Sequence, residues 1–136
     1  MHSDLMEKAE LLLADCCLVT IVSINSEGFP RPVPMAKGAT QGCNVVWMAT
    51  GTDSVKVDEF RHNPKAGLCY EHGGSGVSLR GTVEIITDDA IRSEMWQDWY
   101  IEHFPGGPSD PNYLLLKFTG DEATVWIDRQ FAHLKI

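Results

Sequence analysis

The stretch from Thr50 to Phe60, TGTDSVKVDEF, places hydroxyls at Thr50, Thr52 and Ser54 and an ammonium at Lys56 around the start of one short helical pattern. Asp53 or Ser54 is a good N-cap, which leaves the backbone N–H groups of residues 54–57 pointing out of the helix start. An anion there would meet those donors and the positive end of the helix macrodipole. Lys56 falls in the first turn, where a cation is unfavourable for the helix itself, so it makes better sense with an anion beside it. On this stretch alone, a solvated lysine on an ordinary capped helix still outweighs the functional reading. Arg31 adds weight to an anion site. It lies on a proline-interrupted strand, expected one hairpin partner away from Asn44–Thr50, and an arginine fork is the preferred bidentate partner for phosphate. Lys37 lies further along that strand on the same face by parity. A phosphate at one end and a second positive charge along the strand would suit a phosphorylated planar cofactor.

Other chemistries fit poorly. TGTDSVKV lacks the second glycine of a Walker A loop and has Val57 where that motif needs Ser or Thr, and no GxGxxG follows a strand. His2, His62, His72, His103 and His133 show neither HxxxH nor HExxH spacing, so no metal site is expected. No GxSxG elbow surrounds Ser23 or Ser78, and no carboxylate pair stands out for acid–base work. No catalytic side chain is assigned. Trp96, Trp99 and Tyr100 read as core or subunit-interface anchors.

The elements that must position these groups are mostly strands. Leu5, Ala9, Leu12 and Leu13 recur at helical spacing behind a cap at Ser3 or Asp4, with Glu7 placed to close a capping box. Cys17–Ile24 is a β-branched run that turns at Asn25–Gly28. Pro30, Pro32 and Pro34 then remove the donors from one edge of the next segment, which should pair on one side alone. Asn44–Thr50 reads as a buried strand, residues 54–61 as the short helix, and Lys65–Glu71 as a strand. Val77–Thr87 is a longer strand with a bulge or bend expected at Gly81. Asp88–Asp89 open a helix whose Ile91, Met95, Trp99 and His103 share a side, halting before Pro105. Two last strands, Tyr113–Phe118 and Ala123–Asp128, are joined by a turn at Thr119–Glu122. This pattern predicts a mainly β fold, an antiparallel barrel of six or seven strands with added helices, rather than a parallel α/β sheet.

At 136 residues the chain is expected to be one domain over 1–136. A formal charge of −8, with no lysine- or arginine-rich run, argues against nucleic-acid or anionic-membrane partners. The N-terminus has no signal-peptide pattern and no apolar run reaches membrane-span length, so a cytoplasmic location is expected. Cys16, Cys17, Cys43 and Cys69 lack CxxC spacing and are expected to be reduced core filler, a redox pair being the minority alternative.

The succession RPVPMA, VVWMATGTDSVK, EFRHNPKAGLCYE, VSLRGTVEII and LLLKFTGDEATVWID, in that order, resembles the pyridoxamine 5′-phosphate oxidase-like FMN-binding split barrels, nearest to their small general-stress-protein branch. The resemblance runs from about Leu18 to Asp128. It implies a split-barrel homodimer with FMN at the interface. It implies that Thr50, Ser54, Lys56 and Arg31 hold the FMN phosphate, and that backbone groups of Pro32, Val33, Met48 and Ala49 line the ring. Trp47 and Met48 are core by default, and under this resemblance are the side chains that could pack on the ring. A positive group near the ring would favour reduced flavin, and Lys37 is the candidate. The sequence departs from the oxidases at Val55, where they carry a second basic residue, and at Gly76, where they carry glutamine. The closing FAHLKI lacks their Arg- and His-bearing tail, so vitamin B6 oxidation is not expected. The implied activity is an FMN-dependent oxidoreductase acting on a small-molecule redox substrate. The alternatives are a non-catalytic flavin-binding, sensor or storage protein, or a binder of a deazaflavin or haem.

Overall fold

The apolar run Tyr113–Leu116 has no polar alternation, and in the computed structural model, which describes residues 2–136 and side chains from Asp4 onward, both of its faces are buried. It opens a strand that organises the molecule. In chain order the elements are α1 (His2–Asp15), β1 (Leu18–Ile24), β2 (Pro30–Ala36), β3 (Thr40–Gln41), β4 (Val45–Gly51), α2 (Val55–His62), β5 (Lys65–His72), β6 (Ser75–Ile86), α3 (Asp89–Glu94), β7 (Tyr113–Ile127) and β8 (Gln130–Lys135). Two 3₁₀ turns, Asp98–Glu102 and Gly107–Ser109, lie between α3 and β7.

The strands form one antiparallel sheet in the order β2-β1-β5-β6-β7-β4-β3, with β8 on the other half of β7. The expected mainly β split-barrel architecture is what the chain adopts, with eight strands instead of six or seven. The extra ones are the two-residue β3 and the C-terminal β8. Pro30, Pro32 and Pro34 lie on β2, which ends the sheet and pairs with β1, as the missing donors require. Beyond β2 the chain crosses to β4: Gly38 N donates to Trp47 O and Trp47 N donates to Ala39 O. This seam brings the two ends of the sheet together. Gly38 is needed there, because a Cβ would lie 2.3 Å from the Tyr100 hydroxyl and 2.8 Å from Trp47 O.

The barrel core holds Val19, Ile21, Met48, Leu68, Leu79, Leu116, Phe118 and Val125, with Leu5, Ala9, Leu12 and Leu13 of α1 and Val57 and Phe60 of α2 packed into it. A second cluster of Trp47, Ile86, Tyr100, Phe104, Tyr113 and Leu115 fills the outer face of β4 and β7. Odd and even residues of Tyr113–Leu116 thus serve two different cores.

Three expectations need correction. Thr119–Glu122 is not a turn: β7 runs unbroken from Tyr113 to Ile127. The register shift at Arg80/Gly81, the bulge expected on β6, lies opposite it. There a Cβ on Gly81 would stand 2.0 Å from Thr119 O, and Asn44 clamps Gly120 by two bonds, its Nδ2 donating to Gly120 O and its carbonyl accepting from Gly120 N. The helix opening at Asp89 stops at Glu94, because Trp96 turns inward to pack edge-on against Tyr100 and Tyr113, and Gln97 is extended (φ −120, ψ 139). Finally, α1 already includes residues 3 and 4, so neither Ser3 nor Asp4 is its N-cap. The position before His2 and the Ser3 side chain lie outside the described residues.

Candidate functional site

The end of β4 and the start of α2 are joined by a tight turn, in which Ser54 N donates to Gly51 O and Val57 N to Ser54 O, both at 3.1 Å. These two bonds leave the N–H groups of Val55 and Lys56 as the donors at the helix start, fewer than the four of residues 54–57 expected. Ser54 is the N-cap with an extended backbone (φ −68, ψ 144), but its hydroxyl makes no capping bond. That Oγ is buried without a hydrogen-bond partner. A buried hydroxyl left unpaired is costly, and the cost is relieved by a ligand that accepts its proton. Thr50 is 7% exposed on the last turn of the strand. Thr52 is used structurally, since its N and Oγ1 both donate to Asn112 Oδ1.

Lys56 is half-buried, and among the described residues it forms no ion pair. Burial first, and then the charge of Arg31, hold its ammonium below the usual lysine range. Two cations therefore share one neighbourhood. Arg31 Nε donates to Glu59 Oε1 at 2.8 Å, and Ser23 Oγ donates to the same oxygen at 2.8 Å. Burial alone would raise the Glu59 carboxyl, but the hydrogen bonds from Arg31 and Ser23 and the Arg31 charge outweigh it and keep the group below its ordinary 4.5. Glu59 and Ser23 gave no signal as site residues in the sequence.

A cleft of about 370 Å³ opens between β2 and the end of β4. Val33, Ala49, Thr50 and Lys56 meet there, facing Trp99, Tyr100, His103 and Phe104. Neither Arg31 nor Ser54 lines it; Arg31 stands close enough to Lys56 for its charge to act there, but not as a neighbour on a paired strand. β2 and β4 are toward opposite ends of the sheet order and are not paired with each other; the chain leaving β2 pairs with β4 through Gly38–Ala39 and β3, and this brings them together. Pro32 is exposed on the edge strand. Trp47 and Met48 have their side chains in the two cores, 7% and 0% exposed, with the Lys117 ammonium 5.1 Å from the Trp47 ring centroid. Trp47 N–H and C=O point toward the Gly38–Ala39 seam, so ladder alternation points those of Ala49 the same way, along an edge with no strand beside it among the described residues. Lys37 is occupied elsewhere: its ammonium donates to Leu13 O at the end of α1.

The larger groove, about 880 Å³, runs along β1, β5, β6 and β7 and is lined by Cys17, Cys69, His72, Trp126 and Phe131 among others. Its charged walls are Asp15 and Glu71, with no lysine or arginine, so its sign is wrong for phosphate. Pro34 lines both spaces.

A family model described as pyridoxamine 5′-phosphate oxidase like matches residues 4–135. No curated protein matches the chain. A Clostridium acetobutylicum protein related to general stress protein 26 of B. subtilis, of the pyridoxinephosphate oxidase family, shares 24% identity at a TM-score of 0.90, over 100% of this chain and 97% of that one. General stress protein 26 from Bacillus anthracis shares 22% at 0.78, over 98% and 100%. A heme binding protein from Mycobacterium smegmatis shares 12% at 0.77, over 96% of this chain and 57% of that one. At these identities the likeness is one of fold.

Proposed function

The chain belongs to the pyridoxamine 5′-phosphate oxidase-like family, and from that premise we propose that it binds FMN and works as an FMN-dependent oxidoreductase. The observation that carries this reading is Lys56, a half-buried cation with no carboxylate partner among the described residues, set beside Arg31 and the unpaired Ser54 hydroxyl at a helix start. A phosphate monoester supplies what that group lacks: two negative charges and several acceptor oxygens. Thr50, Ser54, Lys56, Arg31 and the N–H groups of Val55 and Lys56 hold the phosphate, while Val33, Pro34 and the open edge at Ala49 flank the ring. When bound, FMN supplies hydride and electron transfer, and the protein supplies position and electrostatics.

The test is a titration of the purified protein with FMN and with riboflavin, which lacks the phosphate, followed by absorbance and fluorescence. Retention of FMN with weak riboflavin binding is expected. Equal affinity for both would refute the phosphate assignment. A flavin-binding protein without turnover would use the same residues, and reduction of the bound flavin by NADH or NADPH under anaerobic conditions separates the two. Haem is the reading suggested by the mycobacterial heme binding protein. The groove beside His72 is roomy, but it offers no cation to the propionates, which favours FMN in the smaller cleft. A Soret band on haem addition would reverse that preference. A deazaflavin also carries a phosphate and would compete in the same titration.

The same proposal includes a cytoplasmic homodimer. Leu18, Trp126 and Phe131 are exposed at 59, 45 and 67% along the larger groove, and apolar side chains of that size are the usual material of a subunit interface. Light scattering is expected to give twice the 15.1 kDa chain mass, with Phe131→Glu shifting it to the monomer.

A further inference from the structure

Glu59 is an unusual residue to find at 8% exposure, on the second turn of a short helix. A carboxylate resists burial unless it is paired and hydrogen-bonded, and here one oxygen, Oε1, accepts from both Ser23 and Arg31. The two donors are themselves matched: Ser23 and Arg31 are direct cross-strand partners in the β1–β2 hairpin. The hairpin therefore presents a hydroxyl and a guanidinium to one carboxylate of α2.

This arrangement constrains Arg31 in a specific way. The guanidinium carries five N–H donors in a rigid fork, and the Nε–H alone is bonded to Glu59. Fixing Nε fixes the plane of the group and leaves both Nη groups for another acceptor. Left to itself, an arginine on a proline-flanked edge strand with 37% of its side chain exposed would sample many rotamers. It would also be driven from Lys56, three residues before Glu59 on α2, by like-charge repulsion. Glu59 counters both tendencies. It anchors the fork, and its charge reduces the local sum from +2 to +1, so the two cations can coexist before an anion arrives.

We propose that Glu59 is a positioning residue for the anion site, holding the Arg31 fork through Nε so that its Nη groups are free for a phosphate monoester at Lys56. This rests on the phosphate reading of the site. Glu59 touches no ligand and acts through Arg31.

FMN and riboflavin are titrated into wild type, Glu59→Gln, Glu59→Asp, Arg31→Ala and the Arg31→Ala/Glu59→Gln double variant, with melting temperature read on each. Glu59→Gln removes the carboxylate charge and with it the ion-pair part of the bond that holds Arg31, and is expected to weaken FMN by ~5- to 10-fold with riboflavin unchanged. Glu59→Asp keeps the charge but withdraws the anchor, and is expected to lose FMN affinity as well. The double variant is expected to bind FMN within about twofold of Arg31→Ala, since a residue acting through Arg31 has nothing to add once it is gone. Unchanged or tighter FMN binding by both Glu59 variants overturns the proposal. Equal losses for FMN and riboflavin also overturn it, because they assign Glu59 a general structural role. A wild type that does not prefer FMN to riboflavin refutes the phosphate reading and the proposal with it. A wild type that does, with the size of the preference undiminished in the Glu59 variants, refutes the positioning role alone.

Discussion

Lys56→Ala separates binding from folding, and the structure fixes the sign of both effects. On the binding side, a charge-assisted hydrogen bond is worth about 1.5–3 kcal/mol, so the loss of the ammonium is expected to weaken FMN by roughly 10- to 150-fold. Riboflavin affinity should hold, because it offers no phosphate to Lys56. On the folding side, burial and the Arg31 charge put the Lys56 pKa in the folded chain below its ordinary 10.5. A lysine lowered in this way costs the empty fold stability at every pH below its folded value, and the cost fades as pH rises through that value toward 10.5. Alanine removes the cost, is the better helix former, and takes a cation out of a helix's first turn. The lost packing of the lysine stem opposes these gains. The expected variant therefore melts within about 2 °C of wild type or above it, while binding FMN poorly. Calorimetric titration and a thermal melt in the same buffer test both statements. FMN affinity equal to wild type would show that Lys56 is a solvated lysine. A fall in FMN affinity with an equal fall in riboflavin affinity and melting temperature would make it a structural residue.

FMN affinity is expected to peak at neutral to mildly alkaline pH. It falls on the acid side as the phosphate regains its second proton near about 6. It falls on the alkaline side as free Lys56 loses its proton, from a pH below 10.5. Glu59 titrates below 4.5, and riboflavin, which has no phosphate, should show no fall on the acid side. The Arg31–Glu59 pair has the opposite sign in folding. Its stabilisation is complete above 4.5 and disappears as pH falls through the lower folded value, so the melting difference between wild type and Glu59→Gln should narrow in acid. Gly81→Ala drives a Cβ to within 2.0 Å of Thr119 O, and should lower stability by about 1–3 kcal/mol in urea; a shift under about 0.5 kcal/mol would mean the bulge relaxes freely. Thiol labelling of the native chain should spare Cys16 and Cys43, 5 and 4% exposed with thiols pushed up by burial, while Cys17, which lines the groove proposed as the subunit interface, should be modified faster in Phe131→Glu than in wild type; mass spectrometry of the labelled peptides decides.

How much of this was legible in the sequence depended on the range of the interaction. Signals written in one residue's backbone match the structure: the prolines that confine β2 to the sheet edge, the bulge at Gly81, and a short helix starting within a residue of the expected Ser54. Signals that needed a distant partner were misread. Thr119–Glu122 has the composition of a turn, but the asparagine clamp from Asn44 and the bulge on β6 keep it in the strand. The helical periodicity from Ile91 to His103 is real in the sequence. It is overruled at Trp96 by aromatic contacts with Tyr100 and with Tyr113, on β7. That break lets Trp99 and His103 line the cleft, which a continuous helical stripe had assigned to a buried face.

Glu59 marks the boundary between the two cases. The turn at Asn25–Gly28 already sets Ile24 opposite Pro30, and so Ser23 opposite Arg31, which a reader of the hairpin could have worked out. What the hairpin does not contain is the position of α2, which packs on β1 after a detour through β4. One more glutamate in a chain with 19 acidic residues carries no signal until that packing buries it. The same packing explains why the cations are where they are. A barrel whose net charge is −8 uses one of its carboxylates to hold an arginine near a lysine it would otherwise repel, and leaves the lysine without an ion-pair partner among the described residues. An arrangement optimised for the empty fold would pair Lys56 and leave Ser54 as a working cap. Both are left unsatisfied at the same helix start among the described residues, and one anion of the right size would satisfy them together.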